Sequence, residues 1–294
     1  MNAIDKLCNA IKKTKNPTAV GLDTDISFLP KDMQAKCTSP EAAAEQIIKF
    51  NFDLIDALCD IIPAVKVQVA YYELLGVAGM DAFAKTLKYA NQKGLITIAD
   101  VKRNDIGSTA AAYSKAYLPT GAPFESDFIT VNPYLGGDGI MPFVEDCQKY
   151  GKGLFVLCKT SNPGSGELQD KEYKTGGTLY EESAKLITKW GETVVGESGY
   201  SAVAAVVGAT HKEQAENIRK NHKGLFFLIP GYGAQGGSAQ NIAGCFDENG
   251  LGGIVNNSRG ILTAHTKYPT LTYAEAAKTA VIAMRDDLQT VVKL

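Results

Sequence analysis

The sequence has no excess of charge of either sign and no long apolar run. Its 294 residues carry 30 Lys and Arg against 32 Asp and Glu, a formal net charge of −2. Such a balance gives no electrostatic footprint for nucleic acid or for an anionic membrane surface. No apolar run approaches the roughly 20 residues that span a bilayer, and residues 1–15 lack the apolar core of a secretion signal. The composition favours a globular protein with neither nucleic-acid nor membrane partners.

Cysteine and histidine are few and scattered. The six cysteines include no C-x-x-C pair and no spacing typical of metal ligands. His211, His222 and His265 have no acidic partner nearby in sequence, and we interpret them as surface residues. No serine or cysteine lies in a recognisable nucleophile motif. The sequence therefore predicts a reduced, cytoplasmic protein without a metal site.

Short apolar or β-branched runs recur along the chain and end on polar or glycine residues. Their continuous apolar character is typical of parallel strands that are covered on both faces. Segments of helical character separate them, and Ser39 and Pro40 suit the N-cap and first turn of one helix. We predict an α/β protein, a single (β/α)8 TIM barrel domain over residues 1–294. The predicted strands are 19–23, 64–68, 95–102, 128–132, 153–161, 203–209, 225–231 and 253–259, and further helices are predicted near 80–93, 107–117, 178–196, 211–221 and 273–291.

A doubly wound open sheet that binds a dinucleotide is the alternative fold. Its phosphate loop, G-x-G-x-x-G after the first strand, is missing, because Gly21-Leu22-Asp23-Thr24 occupies that position. The barrel is therefore preferred. In such barrels the functional residues lie where the strands end.

The segment Asp100-Val101-Lys102-Arg103-Asn104-Asp105 closes the third predicted strand with two carboxylates and an ammonium. Residues i and i+2 of a strand face the same side, so we expect Asp100 and Lys102 to project together. Nearby negative charge favours the protonated form of a lysine, which makes Lys102 a poor nucleophile but a positioned proton donor. The alternative is a structural salt bridge at a strand end, and the segment taken alone favours that alternative.

Other strand ends indicate an anionic ligand. The loop 230–237 after the seventh strand contains four glycines, which allow backbone N–H groups to approach a ligand closely. Arg259 follows the eighth strand, and these two loops are the usual phosphate site of such barrels. Asp23 and Lys66, on adjacent strands, suit a pair that binds sugar hydroxyls or, equally, a salt bridge inside the barrel.

On these motifs the chain resembles the orotidine 5′-phosphate decarboxylase family, particularly its longer bacterial-type branch. The matching motifs run in the same order from about residue 18 to residue 262, and the stretches 24–39 and 162–177 are longer than in compact members. The motifs are G-L-D at 21–23, D-x-K-x-x-D-I at 100–106 followed by Thr109, P-G-x-G-A-Q-G-G at 230–237, and S-R-G-I at 258–261.

The resemblance implies decarboxylation of orotidine 5′-phosphate to uridine 5′-phosphate in de novo pyrimidine biosynthesis, with no metal or organic cofactor. It implies that Lys102 protonates C6 and that Asp100 lies beside the substrate carboxylate. It also implies a homodimer in which Asp105 reaches into the active site of the other subunit. The further residues implied in the site are Asp23 and Lys66 on the ribose hydroxyls, Ser161 (or the adjacent Thr160) on the pyrimidine edge, Gln235 between base and phosphate, Arg259 on the phosphate, and Ile106, Thr109, Pro230, Gly236 and Ser258.

Two alternative functions remain open at this stage. Sister barrel enzymes, such as hexulose-phosphate synthases and ketogulonate-phosphate decarboxylases, share D-x-K-x-x-D but bind a divalent metal. The Q-G-G loop and the arginine of S-R-G-I favour the nucleotide enzyme over them. A catalytically silent barrel that senses a phosphate ligand is the other alternative, and the presence of Lys102 with both aspartates disfavours it.

Overall fold

The computed structural model describes residues 1–233 and 236–294. Within them, eight parallel strands close into a barrel in which each strand pairs with the next and the eighth pairs with the first. The prediction of a (β/α)8 barrel is confirmed. The strands are β1 (Thr18–Leu22), β2 (Ala64–Gln68), β3 (Ile96–Arg103), β4 (Phe128–Val131), β5 (Gly153–Lys159), β6 (Val203–Val207), β7 (Phe227–Ile229) and β8 (Gly253–Asn257).

Every predicted strand is present, and the bounds differ by one or two residues, at the carboxyl ends and, in β1, β3 and β7, also at the amino ends. The fifth strand, predicted to reach residue 161, ends at Lys159. The reason is local, because the Thr160 backbone N–H donates to Gln169 Oε1 (2.9 Å) and no longer to a neighbouring strand. Lys159, Thr160 and Ser161 are all polar, so the sequence does not reveal at which of them the ladder stops.

The helices fill the connections and cover the outside of the barrel. Ser39 caps its helix as predicted, since Ser39 Oγ accepts from the Ala42 N–H at 3.2 Å. The helix predicted over 178–196 is shorter, because Gly191 ends it. The helices are α1 (Ala3–Thr14), α2 (Lys31–Gln34), α3 (Pro40–Leu58), α4 (Ala70–Glu73), α5 (Gly76–Gln92), α6 (Gly107–Tyr117), α7 (Gly137–Tyr150), α8 (Gly166–Gln169), α9 (Leu179–Trp190), α10 (Lys212–Asn221), α11 (Ala239–Ile242), α12 (Arg259–Leu262) and α13 (Tyr273–Gln289).

The amino-terminal helix α1 was not among the predicted helices. Its lysines lie on an exposed face, whereas Ile4, Leu7 and Ile11 are buried at the helical spacing of three and four residues. It packs at the amino-terminal end of the barrel, where Asn2 Nδ2 donates to Val194 O at 3.2 Å. Covering this end leaves the opposite end, where the strands finish, as the open one.

The strands are buried on both faces, as their continuous apolar pattern predicts. Every residue of β6 is buried, and Phe128 and Phe155 pack with ring centroids 4.9 Å apart. Gly153 makes this packing possible, because a Cβ there would lie 2.3 Å from the Phe128 ring. None of the helices in the described part of the chain combines the length and the apolarity needed to cross a bilayer.

Candidate active site

A cavity of about 600 Å³ opens at the carboxyl ends of the strands. One wall is charged and is formed by the ends of β1, β2 and β3. Across the barrel from it, Leu157, Val206 and Leu228 supply an apolar wall. The cavity is therefore suited to a ligand with one strongly polar side and one flat apolar side. The charged wall consists of Asp23, Lys66, Asp100 and Lys102.

Asp100 is the centre of the charged wall and is only 6% exposed. Lys66 Nζ lies 2.9 Å from Asp100 Oδ2, and Lys102 Nζ lies 2.6 Å from Asp100 Oδ1. Gln68 Nε2 and Thr130 Oγ1 each donate to the same carboxylate at 2.9 Å. Four donors on three strands thus satisfy one buried carboxylate, as an ionised group out of water requires.

These contacts determine the ionisation of the buried pair. Burial alone would raise the pKa of the Asp100 carboxyl, but the ammonium groups of Lys66 and Lys102 outweigh it and hold that pKa well below its usual value. Burial likewise opposes charge on Lys66, yet the carboxylates of Asp100 and Asp23 raise its pKa above the ordinary value. Asp100 is therefore a carboxylate and Lys66 an ammonium at neutral pH.

Lys102 occupies a strained position at the end of β3. Its φ of 45° lies in the left-handed region, which a residue with a Cβ rarely adopts. The register between β3 and β4 shifts over the same stretch, between Ala99 and Arg103. Thr130 Oγ1 supports this backbone by accepting the N–H groups of Val101 and Lys102, each at 2.9 Å. Strain of this kind is typical of functional sites, and here it aims the Lys102 ammonium at the cavity.

Asp23 connects the lysines to the end of β8. Asp23 Oδ1 lies 3.0 Å from Lys66 Nζ, and Asp23 Oδ2 accepts from Ser258 Oγ at 2.8 Å. Gly21 allows this approach, because a Cβ there would lie 1.9 Å from Ser258 Oγ. Asp23 and Lys66 thus form the ion pair that one sequence interpretation predicts, and both also line the cavity, so their contact with sugar hydroxyls stays a prediction.

The loops after β7 and β8 border the far end of the cavity. Pro230, Gly231, Ser258 and Arg259 line it, and the Arg259 guanidinium is exposed there, with Cζ 5.9 Å from the centroid of the Phe28 ring. Gly236 is exposed and is not one of the lining residues, and the predicted Gln235 lies outside the described residues.

Asp105, Ile106 and Thr109 do not line the cavity. Asp105 Oδ1 accepts the backbone N–H of Ile106 at 2.8 Å, and Ile106 is 52% exposed. Thr109 is exposed on α6. These three residues follow β3 directly and form part of the outer surface beside the cavity mouth.

Several lining residues were missed by the sequence analysis. Gln68 lies two residues after Lys66 and pairs in register with Asp100, so its position on the same face was a usable signal. Thr130 lies within the run of β4, two residues after Phe128, and Asn256 precedes Ser258 by two residues. Phe28 and Gln169 come from the two long loops, where no periodicity pointed to them.

The three histidines are half-buried, which corrects their interpretation as surface residues. His211 Nε2 lies 3.3 Å from Ser165 Oγ, and burial together with the nearby Lys159 ammonium lowers its pKa. Within residues 1–233 and 236–294, no group of three or more His, Cys, Asp and Glu side chains is arranged to hold a metal ion.

A parallel barrel with a lysine–carboxylate array and a glycine loop at its open end defines a (β/α)8 barrel enzyme. Residues 20–270 match the model of the orotidine 5′-phosphate decarboxylase / HUMPS family. The chain belongs to this family.

Known proteins support the assignment over nearly the whole chain. Orotidine 5′-phosphate decarboxylases from Clostridium acetobutylicum and Clostridium botulinum are 43% and 46% identical to it over 288 residues, which cover 97% of this chain and 98% and 99% of theirs. The structure of Leishmania donovani OMP decarboxylase is similar, with a TM-score of 0.75, 27% identity and coverage of 97% of this chain and 100% of that one. A crystal structure from Streptomyces avermitilis, whose name proposes an orotidine 5′-phosphate decarboxylase, has a TM-score of 0.83 and 29% identity, covering 99% and 96% of the two chains.

Replacing Asp100 by Asn should flatten the loss of stability in acid. Because the folded pKa of Asp100 is below its unfolded value of about 3.9, the carboxylate stabilises the fold above that pH. This contribution is lost as the pH falls below it toward the folded pKa. Urea unfolding from pH 6 down to pH 2 should show a shallower slope for Asp100→Asn, by up to about 1.4 kcal/mol per pH unit. Asp81→Asn, at an exposed ion pair on α5, serves as the control, and equal slopes for Asp100→Asn and wild type would contradict the assignment.

Proposed function

We propose that this protein converts orotidine 5′-phosphate to uridine 5′-phosphate and carbon dioxide, as part of de novo pyrimidine biosynthesis. The observation that carries the proposal is the Lys102 ammonium, held 2.6 Å from an ionised, buried Asp100 at the wall of a nucleotide-sized cavity. The relatives named for this reaction support the choice of substrate. The six unpaired, scattered cysteines are consistent with a cytoplasmic location, which is also part of the proposal.

The two walls suggest how the nucleotide binds. Its 5′-phosphate lies between the glycine loop after β7 and Arg259, with Gln235 and Gly236 from the same loop, by the family resemblance. Asp23 accepts hydrogen bonds from the ribose hydroxyls, and Lys66 donates hydrogen bonds to them. The pyrimidine ring packs on the apolar side formed by Leu157, Val206 and Leu228. Its carboxylate then points at the charged wall. The phosphate contacts supply binding energy remote from the reacting carbon.

The chemistry follows from the position of Lys102. The bond between C6 and the carboxylate carbon breaks, carbon dioxide leaves, and the electron pair remains on C6. A positive ammonium beside C6 stabilises this developing charge and then transfers one of its protons to C6. The neutral lysine regains a proton from water. Asp100 holds the ammonium in place and, being ionised, lies beside the leaving carboxylate.

The direct test is to follow the ultraviolet absorbance of orotidine 5′-phosphate with purified protein, with and without EDTA. We expect turnover in both samples, because the chemistry needs only side chains of this chain. Inactivation by the chelator would favour the metal-dependent sister enzymes. No turnover under either condition, with uridine 5′-phosphate still bound, would favour a silent sensor.

Replacing Lys102 by Ala should remove most of the turnover. Loss of a general acid costs roughly 10²–10⁴-fold, and the lost charge stabilisation adds to it. Uridine 5′-phosphate should still bind, because the phosphate and ribose contacts remain. Lys189→Ala, an exposed lysine on α9, should behave as wild type. Steady-state kinetics and product-binding titrations measure both effects, and near-normal turnover of Lys102→Ala would refute the role.

Replacing Arg259 by Ala should weaken binding of the nucleotide but not of the nucleoside. A charge-assisted hydrogen bond is worth about 1.5–3 kcal/mol, which is roughly a 10- to 150-fold loss in affinity. Uridine, which has no phosphate, should bind as it does to wild type. Arg285→Ala, an arginine paired with Asp286 on α13, is the matched control. Equal losses for uridine 5′-phosphate and uridine would exclude the phosphate role.

A homodimer is the second part of the proposal. Large apolar side chains are exposed after three successive strands: Leu74 and Val77 after β2, Ile106 after β3, and Tyr134 and Leu135 after β4, each at least 44% exposed. Contiguous exposed apolar surface is typical of a protein interface. A second copy of this chain related by a two-fold axis would cover the same patch on both subunits.

Asp105 directly precedes Ile106 of this patch and does not line the cavity of its own subunit. The position suits a side chain that completes the site of the other subunit, as the family resemblance implies. Gly139 of α7 packs against it, since a Cβ there would lie 3.1 Å from the Asp105 carbonyl oxygen. The backbone of Asp105 is thus supported by its own subunit, and its carboxylate accepts the Ile106 N–H.

Subunit exchange between Lys102→Ala and Asp105→Ala homodimers should restore activity. Half of the dimers become mixed, and each mixed dimer has one site with both native residues, so activity should rise toward roughly a quarter of wild type. Exchange between Lys102→Ala and Asp100→Asn is the control, because those residues share a subunit and every site keeps a defect. If verified exchange of the first pair restored nothing, Asp105 would serve its own subunit.

A further inference from the structure

The chain that follows β5 is held by a residue from the long loop 162–177. The Thr160 backbone N–H donates to Gln169 Oε1 at 2.9 Å, and Gln169 Nε2 donates to Thr160 Oγ1 at 2.8 Å. Thr160 Oγ1 in turn donates to Asn162 Oδ1 at 2.6 Å. Both polar atoms of the Gln169 side chain are therefore hydrogen-bonded to Thr160. The only hydroxyl proton of Thr160 is donated to Asn162.

The other side of the same segment is held by the chain after β6. The Gly208 N–H donates to Lys159 O at 2.8 Å, and Thr210 Oγ1 donates to Ser161 O at 3.2 Å. Gly208 also packs so closely that a Cβ there would lie 2.7 Å from Ser161 Cβ. Ser161 is thus fixed between the β6 side and the residue that Gln169 holds.

An ion pair between the buried Lys159 and the half-exposed Asp170 anchors the loop that carries Gln169. Lys159 is 0% exposed, and its Nζ lies 2.7 Å from Asp170 Oδ1 and 3.2 Å from Ser165 Oγ. A fully buried ammonium needs a counter-ion, so Asp170 is held at this point. Asp170 follows Gln169 directly in the chain, and the ion pair therefore sets the position of the glutamine.

We propose that Gln169 is a positioning residue for recognition of the pyrimidine. Thr160, Ser161 and Gln169 all line the cavity. Gln169 and Thr160 together form a clamp that holds Ser161 at the cavity wall, where the serine meets the polar edge of the base. The clamp also assigns the contact with the base to Ser161 and not to Thr160, because the Thr160 hydroxyl already donates its proton to Asn162 Oδ1. This inference rests on the proposed function.

The test compares two ligands that share ribose and phosphate but differ in the base. In Gln169→Leu, which keeps the side-chain size and removes both hydrogen bonds, the Kd for uridine 5′-phosphate should rise about tenfold, the equivalent of roughly one net hydrogen bond. The Kd for ribose 5-phosphate should stay within about twofold of wild type. Gln169→Glu keeps the acceptor for the Thr160 N–H and should recover most of the affinity. Leu168→Ala, on the same short helix and 53% exposed, is the matched control.

Each outcome decides the proposal. An unchanged Kd for uridine 5′-phosphate, or an equal loss for ribose 5-phosphate, would overturn the clamp. If Gln169→Leu does not fold, Thr160→Val, which removes the hydroxyl that Gln169 contacts, is judged by the same two affinities. If the wild-type protein fails to bind the nucleotide at all, the proposed function fails instead. Amide hydrogen exchange over residues 158–162 then decides the clamp, with faster exchange expected in Gln169→Leu and unchanged exchange overturning it.

Discussion

The Asp100 carboxylate, buried between two ammonium groups, is the interaction on which the open end of this barrel depends. An isolated carboxylate in this position would be strongly unfavourable. It is stable because Lys66 and Gln68 of β2, Lys102 of β3 and Thr130 of β4 all donate to it. Removing any one of these four donors would leave the buried Asp100 charge partly uncompensated. The geometry of three strand ends is thereby fixed by a single group.

The two lysines of this network differ in their exposure and in the number of carboxylates that they contact. Lys66 has a side chain only 5% exposed and is held by two carboxylates, Asp23 and Asp100. Lys102 is 46% exposed and contacts only Asp100 among the described carboxylates. A proton donor must be able to leave its partner and approach the substrate. Lys102 meets that condition and Lys66 does not, which supports the proposal that Lys102 is the donor and that Lys66 orients the ligand.

Short-range patterns were sufficient to predict the fold and the charged wall. Continuous apolar runs gave the eight strands, because a parallel barrel buries both faces of each strand. The spacing of Asp100 and Lys102 gave the pair at the end of β3. The lysine's left-handed backbone and the register shift were not visible, since nothing in the side-chain pattern reports them.

Contacts between distant segments account for what the sequence could not reveal. Gln68 and Thr130 join Asp100 through strand register, which requires the folded sheet. Gln169 reaches the cavity because the ion pair of its neighbour Asp170 with the buried Lys159 positions its loop, and no periodic pattern marks such a residue. The buried residues of α1 follow helical spacing, but the lysines and other polar residues between them obscure that pattern in the sequence.

The central claim is that carbon dioxide leaves C6 and that an exchangeable ammonium proton takes its place. Decarboxylation of orotidine 5′-phosphate in ²H₂O, followed by proton NMR of the product, tests this most directly, because the protons of an ammonium exchange with solvent. The account predicts uridine 5′-phosphate with one deuterium at C6 and none at C5, so that the C6 signal disappears and the C5 signal becomes a singlet. A product with protium at C6, or with deuterium at C5, would contradict it.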